Sequence, residues 1–101
     1  MEINLYPIEE MTIDDLADKN SLVMDVNEIE TINGERVWHA RFRDVEVKDG
    51  GLLESAYGSG ATPETAIRDY ARRISRCTLV YKATDKSERR QIIAPRLRAR
   101  A

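Results

Sequence analysis

Apolar positions recur along this chain with two periods, one helical and one of two residues. In residues 12–19, TIDDLADK, Ile13, Leu16 and Ala17 fall on one helical face. Thr12 suits the N-cap, with Asp15 three residues on in capping-box position. Asp14 and Asp15 near the start and Lys19 near the end complement the helix dipole. Asn20 can take the left-handed conformation that closes a helix. A short helix is therefore predicted, followed by strands in which every second residue is apolar.

The run SLVMDVNEIETINGERVWHARFRDVEV contains Asn33-Gly34, a strong signal for a two-residue type I′ hairpin turn. Such a turn sets Ile32 opposite Glu35 and Ile29 opposite Trp38. Carried further, that register conflicts with the alternation Leu22, Met24, Val26. One extra residue near Asn27–Glu28 would restore it, pairing Val26 with Ala40 and Met24 with Phe42, so a β-bulge is predicted there. The second strand then changes parity, from Trp38, Ala40 and Phe42 to Val45 and Val47, which predicts another irregularity near Arg43–Asp44.

Asp49-Gly50-Gly51 reads as a turn and LLESAY, residues 52–57, as a third strand. The stretch GSGATPETAIRDYA, residues 58–71, then predicts a tight corner into a helix over 63–76. Gly58 and Gly60 loosen the backbone, Thr62 caps, Pro63 fits the first helical position and Glu64 faces the dipole. Ile67, Tyr70, Ala71 and Ile74 form its apolar stripe. A nucleotide-binding loop is not indicated, because no Gly-Lys-Ser/Thr follows and Glu64 would repel an anion. TLVYKAT is a fourth strand, DKSERR a turn and RQIIAP a fifth strand. The order α-β-β-β-α-β-β predicts an α+β fold, an antiparallel meander sheet packed against one long and one short helix. Residues 1–95 form the expected domain and RLRARA, residues 96–101, a loose basic tail.

Composition adds two points. With 101 residues, 42% hydrophobic and 34% charged, the chain suits one small globular domain. No apolar run approaches the length of a membrane span, and MEINLYPIEEM lacks the pattern of a signal peptide. The single cysteine, Cys77, fits a reducing, cytoplasmic setting. The net charge of -2 conceals a strong asymmetry: residues 62–101 hold 11 bases against 4 acids, residues 1–61 hold 5 bases against 14 acids. Such a split points to a charged partner or to self-association, a homodimer included.

Little in the chain looks like catalytic chemistry. His39 is the sole histidine and lies between residues placed inward; with Cys77 it makes too small a set for a metal. Cys77 sits at the end of the second helix, where a small buried thiol is the ordinary role. Neither catalytic residues nor a cofactor are expected. Two surfaces stand out instead. Arg68, Arg72 and Arg76 recur every four residues along the second helix, with Arg73 beside them, and suit phosphates or carboxylates. Glu28, Glu30, Asp44 and Glu46 lie on the strands and suit a basic groove on a partner protein.

The order α-β-β-β-α, with Gly-Ser-Gly-Ala-Thr before the second helix, resembles the double-stranded-RNA-binding fold and HicB-type antitoxins. Thr62, Pro63, Glu64 and Thr65 stand where the RNA-binding family carries phosphate-reaching lysines. YGSGATPETAIRDYARRIS, together with PIEEMTIDDLA at residues 7–17, is similar to small proteins of tailed bacteriophages. That resemblance supplies no activity by itself; taken with the acidic face on the strands, it leads to the expectation of a non-enzymatic binding protein acting by protein–protein contact in the bacterial cytoplasm, for example as an inhibitor of a host defence enzyme of the CRISPR type. The arginine face supports the alternative, a nucleic-acid-binding module.

Overall fold

Thr12 opens the first helix much as its chemistry requires. Its hydroxyl accepts the Asp15 N–H at 3.1 Å and starts a helix. In the computed structural model, residues 10–99 are described. They form β1 (Glu10–Thr12), α1 (Ile13–Asn20), β2 (Met24–Glu30), β3 (Arg36–Phe42), β4 (Val45–Asp49), β5 (Leu52–Glu54), β6 (Gly58–Gly60), α2 (Pro63–Ile74), β7 (Thr78–Tyr81), β8 (Arg90–Ile93) and β9 (Arg96–Arg98). The class is α+β. Residues 7–9 of the PIEEMTIDDLA segment and Arg100 of the tail lie outside the described residues. The left-handed residue that closes α1 is Ser21 (φ 55°), not Asn20, whose side-chain amide donates to the Leu16 carbonyl instead.

The strands divide into a sheet ordered β2-β3-β6, a second ordered β5-β4-β7-β8, and the pair β1-β9. All pairings are antiparallel except β1 with β9, which is parallel. The chain leaves the first sheet for the second at Asp44, whose φ of 61° breaks the strand. This is the irregularity that the change of parity predicts. It is accommodated because aspartate tolerates the left-handed region better than most residues.

The hairpin differs from expectation in an instructive way. Met24 faces Phe42, Val26 faces Ala40 and Glu28 faces Trp38, without interruption to Glu30 opposite Arg36. No bulge interrupts β2, and Ile29 faces Val37 rather than Trp38. The extra residue sits in the turn. Thr31 N–H donates to the Glu35 carbonyl at 2.7 Å, and Gly34 N–H donates to the Thr31 carbonyl at 2.9 Å. Gly34 has φ +82°, while Asn33 is not among the left-handed residues. This is a three-residue loop closed by a glycine bulge, not a type I′ turn. Glycine at that one position therefore absorbs the register shift.

The Gly-Ser-Gly stretch is likewise a strand, not a corner. Gly58 faces Ala40 and Gly60 faces Trp38. Neither glycine has positive φ; space explains them instead. A Cβ on Gly58 would lie 2.1 Å from the Ala66 carbonyl oxygen and 2.3 Å from the Tyr70 nitrogen. On Gly60 it would lie 2.2 Å from Thr65 Oγ1. Only side chains this small let α2 press directly onto the strand backbone. The chain turns afterwards, at Ala61–Thr62, so the third strand ends early at Glu54.

That close approach places the core. Ala66, Ile67, Tyr70, Ala71 and Ile74 are buried along α2 and meet Ile13, Phe42, Val45 and Leu79. Beyond the end of β6, the Phe42 N–H finds no strand partner and donates to the Tyr70 hydroxyl at 3.0 Å. The two rings also meet edge to face, with centroids 5.5 Å apart. The expected loose tail is partly ordered. Residues 96–98 form β9, with Leu97 buried, because Arg-Leu-Arg alternates as an edge strand does.

Candidate anion-binding face

Helix α2 and strand β9 lie side by side, and their outward residues are mostly arginines. The helix starts with a reciprocal cap. Thr62 Oγ1 accepts the Thr65 N–H at 3.1 Å, and Thr65 Oγ1 accepts the Thr62 N–H at 3.0 Å. Because the apolar stripe faces the core, Arg68, Arg72 and Arg73 are forced outward. The helix ends at Ile74. Ser75 adopts φ -56°, ψ 132°, and Arg76 turns left-handed at φ 61°. Arg76 thus leaves the helical track on which its spacing from Arg68 and Arg72 places it.

Two hydrogen bonds then bring β9 alongside. Arg76 N–H donates to the Pro95 carbonyl at 3.1 Å. Leu97 N–H donates to Ser75 Oγ at 2.8 Å, and that hydroxyl itself donates to the Ala71 carbonyl at 2.7 Å. With Leu97 turned inward, Arg96 and Arg98 face out. Arg98 pairs with Glu10 at 2.6 Å. Arg96 instead joins Arg72 and Arg76 around a shallow depression of about 370 Å³ floored by Ser75 and Leu97. Farther along the same seam, Arg68 borders a smaller depression of about 150 Å³ with Glu64, Ile67 and Ala99.

Asp69 organises the helix surface. Its carboxylate takes Arg72 at 2.6 Å, Arg73 at 2.9 Å and the Ser59 backbone N–H at 3.0 Å. Burial disfavours its charge, but hydrogen bonds from Arg73, Ser59 and Arg72 outweigh burial and hold the carboxyl at about 2. One carboxylate therefore partly offsets two guanidiniums. Arg68, Arg76 and Arg96 have no ion pair among the described residues. Glu64 and Arg68, four residues apart on α2, form no ion pair among the described residues, whereas Asp69 and Arg73 do.

Of the arginines singled out from sequence, Arg68, Arg72 and Arg76 share the α2–β9 seam. Arg73 turns the other way, into a groove of about 590 Å³ with Tyr57, Ser59 and Cys77. Arg96 escapes a reading of residues 96–101 as a tail; the alternation Arg96, Leu97, Arg98 is the signal that marks it. The acidic residues do not assemble into one surface. Glu28 is bound by Arg36 at 2.8 Å, and Glu30 stands opposite Arg36 across the hairpin. Asp44 lies beyond the end of β3, at the left-handed break before β4. Glu46 belongs to the other sheet, opposite Val80. Asp25, nearby, is held by two hydrogen bonds from Arg43 at 2.7 and 3.1 Å. Arginines thus offset Glu28 and Asp25 locally.

Cys77 lines the large groove. Burial, and then Asp49, push the Cys77 thiol up, away from the thiolate. His39 stacks on Tyr57 with ring centroids 4.3 Å apart. Among the described residues, no three His, Cys, Asp or Glu side chains gather in a way that would hold a metal ion. No described helix is long and apolar enough to cross a membrane. Compared with protein-family models, curated proteins and solved structures, the chain finds no match.

Proposed function

We propose that this chain is a non-enzymatic binding protein whose α2–β9 face takes the phosphate backbone of a nucleic acid. The observation that carries this reading is the convergence of Arg72 and Arg76 with Arg96 on one depression, with Arg68 next along the seam. Guanidinium forks match phosphate oxygens in charge and in geometry. The overall charge of -2 does not weigh against such a face. Charges beyond about 8–10 Å are screened at ordinary ionic strength, so the local set decides. Along the seam that set is Arg68, Arg72, Arg76 and Arg96 against Glu64 and Asp69, the latter bound to Arg72. Fluorescence anisotropy with labelled DNA and RNA at low salt tests the reading. Binding should weaken steeply as salt rises, because each phosphate contact releases counterions. Replacing Arg76 and Arg96 together by Gln should weaken it about tenfold or more. Flat anisotropy at low salt removes the proposal.

A second reading, contact with a partner protein, is supported by a different observation. Leu52 is 72% exposed on β5 and Ile93 is 80% exposed on β8. Both strands are sheet edges. Open edges beside exposed apolar residues accept an added strand. The partner this reading proposes is a host enzyme, in keeping with the phage-protein similarity expected from the sequence. Affinity capture from bacterial lysate tests this; retention of no protein at low salt counts against it, as does unchanged capture by Ile93→Lys.

A further inference from the structure

Within the nucleic-acid reading, on which this inference rests, the charge gathered along the seam bears on what part of the nucleic acid it takes. The two depressions lie in line between α2 and β9, running from Glu64, Ile67 and Arg68 to Arg72, Arg76 and Arg96. Beside the second, the Arg76 N–H donates to the Pro95 carbonyl, where the helix exit meets the corner between β8 and β9. We propose that the Arg72–Arg76–Arg96 depression is a site for a terminal phosphate monoester of a single-stranded nucleic acid.

Charge favours the same group. An internal phosphodiester carries one negative charge and has chain on both sides. A terminal monoester carries close to two at neutral pH and has chain on one side only. Three exposed guanidiniums around one small space match the second better, since each adds charge-assisted hydrogen bonds to a different oxygen. One effect opposes it. The site lies at the C-terminal end of α2, where the helix dipole amounts to roughly half a negative charge. That is smaller than three guanidiniums, even with Arg72 shared by Asp69. The terminal carbonyls are also partly occupied: Ala71 accepts from Ser75, and Ile74 accepts from Cys77. The walls beyond the arginines, Ser75 and Leu97, present no acid.

The test uses one short single-stranded oligonucleotide prepared with a 5′-phosphate, with a 3′-phosphate, and with hydroxyls at both ends. Competition against a labelled probe is measured for the full chain. One of the two phosphorylated forms should bind about tenfold tighter than the hydroxyl form, and which one reveals the polarity of the bound strand. The preference should vanish in Arg96→Gln, with a melting temperature like that of the unaltered protein showing that the variant is folded. It should persist in Arg73→Gln, whose side chain faces the other groove. Equal binding of all three oligonucleotides overturns the terminal-phosphate site and leaves the broader reading standing. A preference that survives in Arg96→Gln also overturns it. Binding of none of the three overturns both.

Discussion

Replacing Gly58 by alanine would add one methyl group where the structure has no room. That Cβ would lie 2.1 Å from the Ala66 carbonyl oxygen, 2.3 Å from the Tyr70 nitrogen and 2.6 Å from the Tyr70 Cβ. Ordinary contact begins near 3.4 Å, so β6 and α2 would have to part by more than an ångström. The obstructing atoms belong to helix backbone and to the root of a buried side chain, so no flexible side chain can swing aside. Overpacking typically costs about 1–3 kcal/mol, and a clash with backbone belongs at or above the top of that range. For a domain of this size, about 3 kcal/mol lowers the melting temperature by about 12 °C or more. Gly51→Ala is the matched control, since nothing lies within 4 Å of a Cβ there. Thermal unfolding followed by circular dichroism compares the two. If Gly58→Ala melts within about 2 °C of Gly51→Ala, the close packing of α2 on β6 is wrong.

Three further outcomes follow from the same structure. Tyr70→Phe removes the acceptor for the Phe42 N–H and should cost about 1–3 kcal/mol in denaturant unfolding, with faster hydrogen exchange at Phe42; unchanged stability would contradict that hydrogen bond. Asp69 is depressed from 3.8 to about 2 in the folded chain, so its stabilisation is complete above about pH 4 and lost as pH falls through about 2. Its arginine partners are more than half exposed, so solvent screening reduces the contribution to about 1–2 kcal/mol; Asp69→Asn should flatten this acid loss in urea titrations at pH 5 and pH 2.5, and an unaltered loss would refute the assignment. Leu97→Ala should destabilise by about 2–4 kcal/mol because β9 is packed against the core; a change below about 0.5 kcal/mol would mean that residues 96–98 are loose after all.

Local chemistry was the legible part of the sequence. Thr12 and Thr62 cap helices as their side chains require, and Ile67, Tyr70, Ala71 and Ile74 mark the buried face of α2. The pairings of Met24 with Phe42 and Val26 with Ala40 were recoverable from alternation alone. How the extra residue was absorbed was not, because Asn-Gly serves both a two-residue turn and a longer loop ending in a glycine bulge. The Gly58 and Gly60 case has a similar cause. Glycine signals either unusual angles or close approach, and only the position of α2 decides between them. The candidate site was half visible. Spacing along one helix exposed Arg68 and Arg72, but Arg96 joins them through pairing between chain segments far apart in sequence, β1 with β9. Spacing also could not reveal that Arg73 turns to the opposite groove, or that arginines bind Glu28 and Asp25.

The most direct measurement is a nuclear magnetic resonance titration of the isotope-labelled chain with a short single-stranded oligonucleotide at low salt. The α2–β9 face predicts shifts concentrated at the backbone amides of Arg68, Arg72, Arg76, Arg96 and Leu97, fading as salt is added. Shifts confined to the groove around Tyr57 and Cys77 or to the β2–β3 hairpin, or no shifts at all, would contradict it.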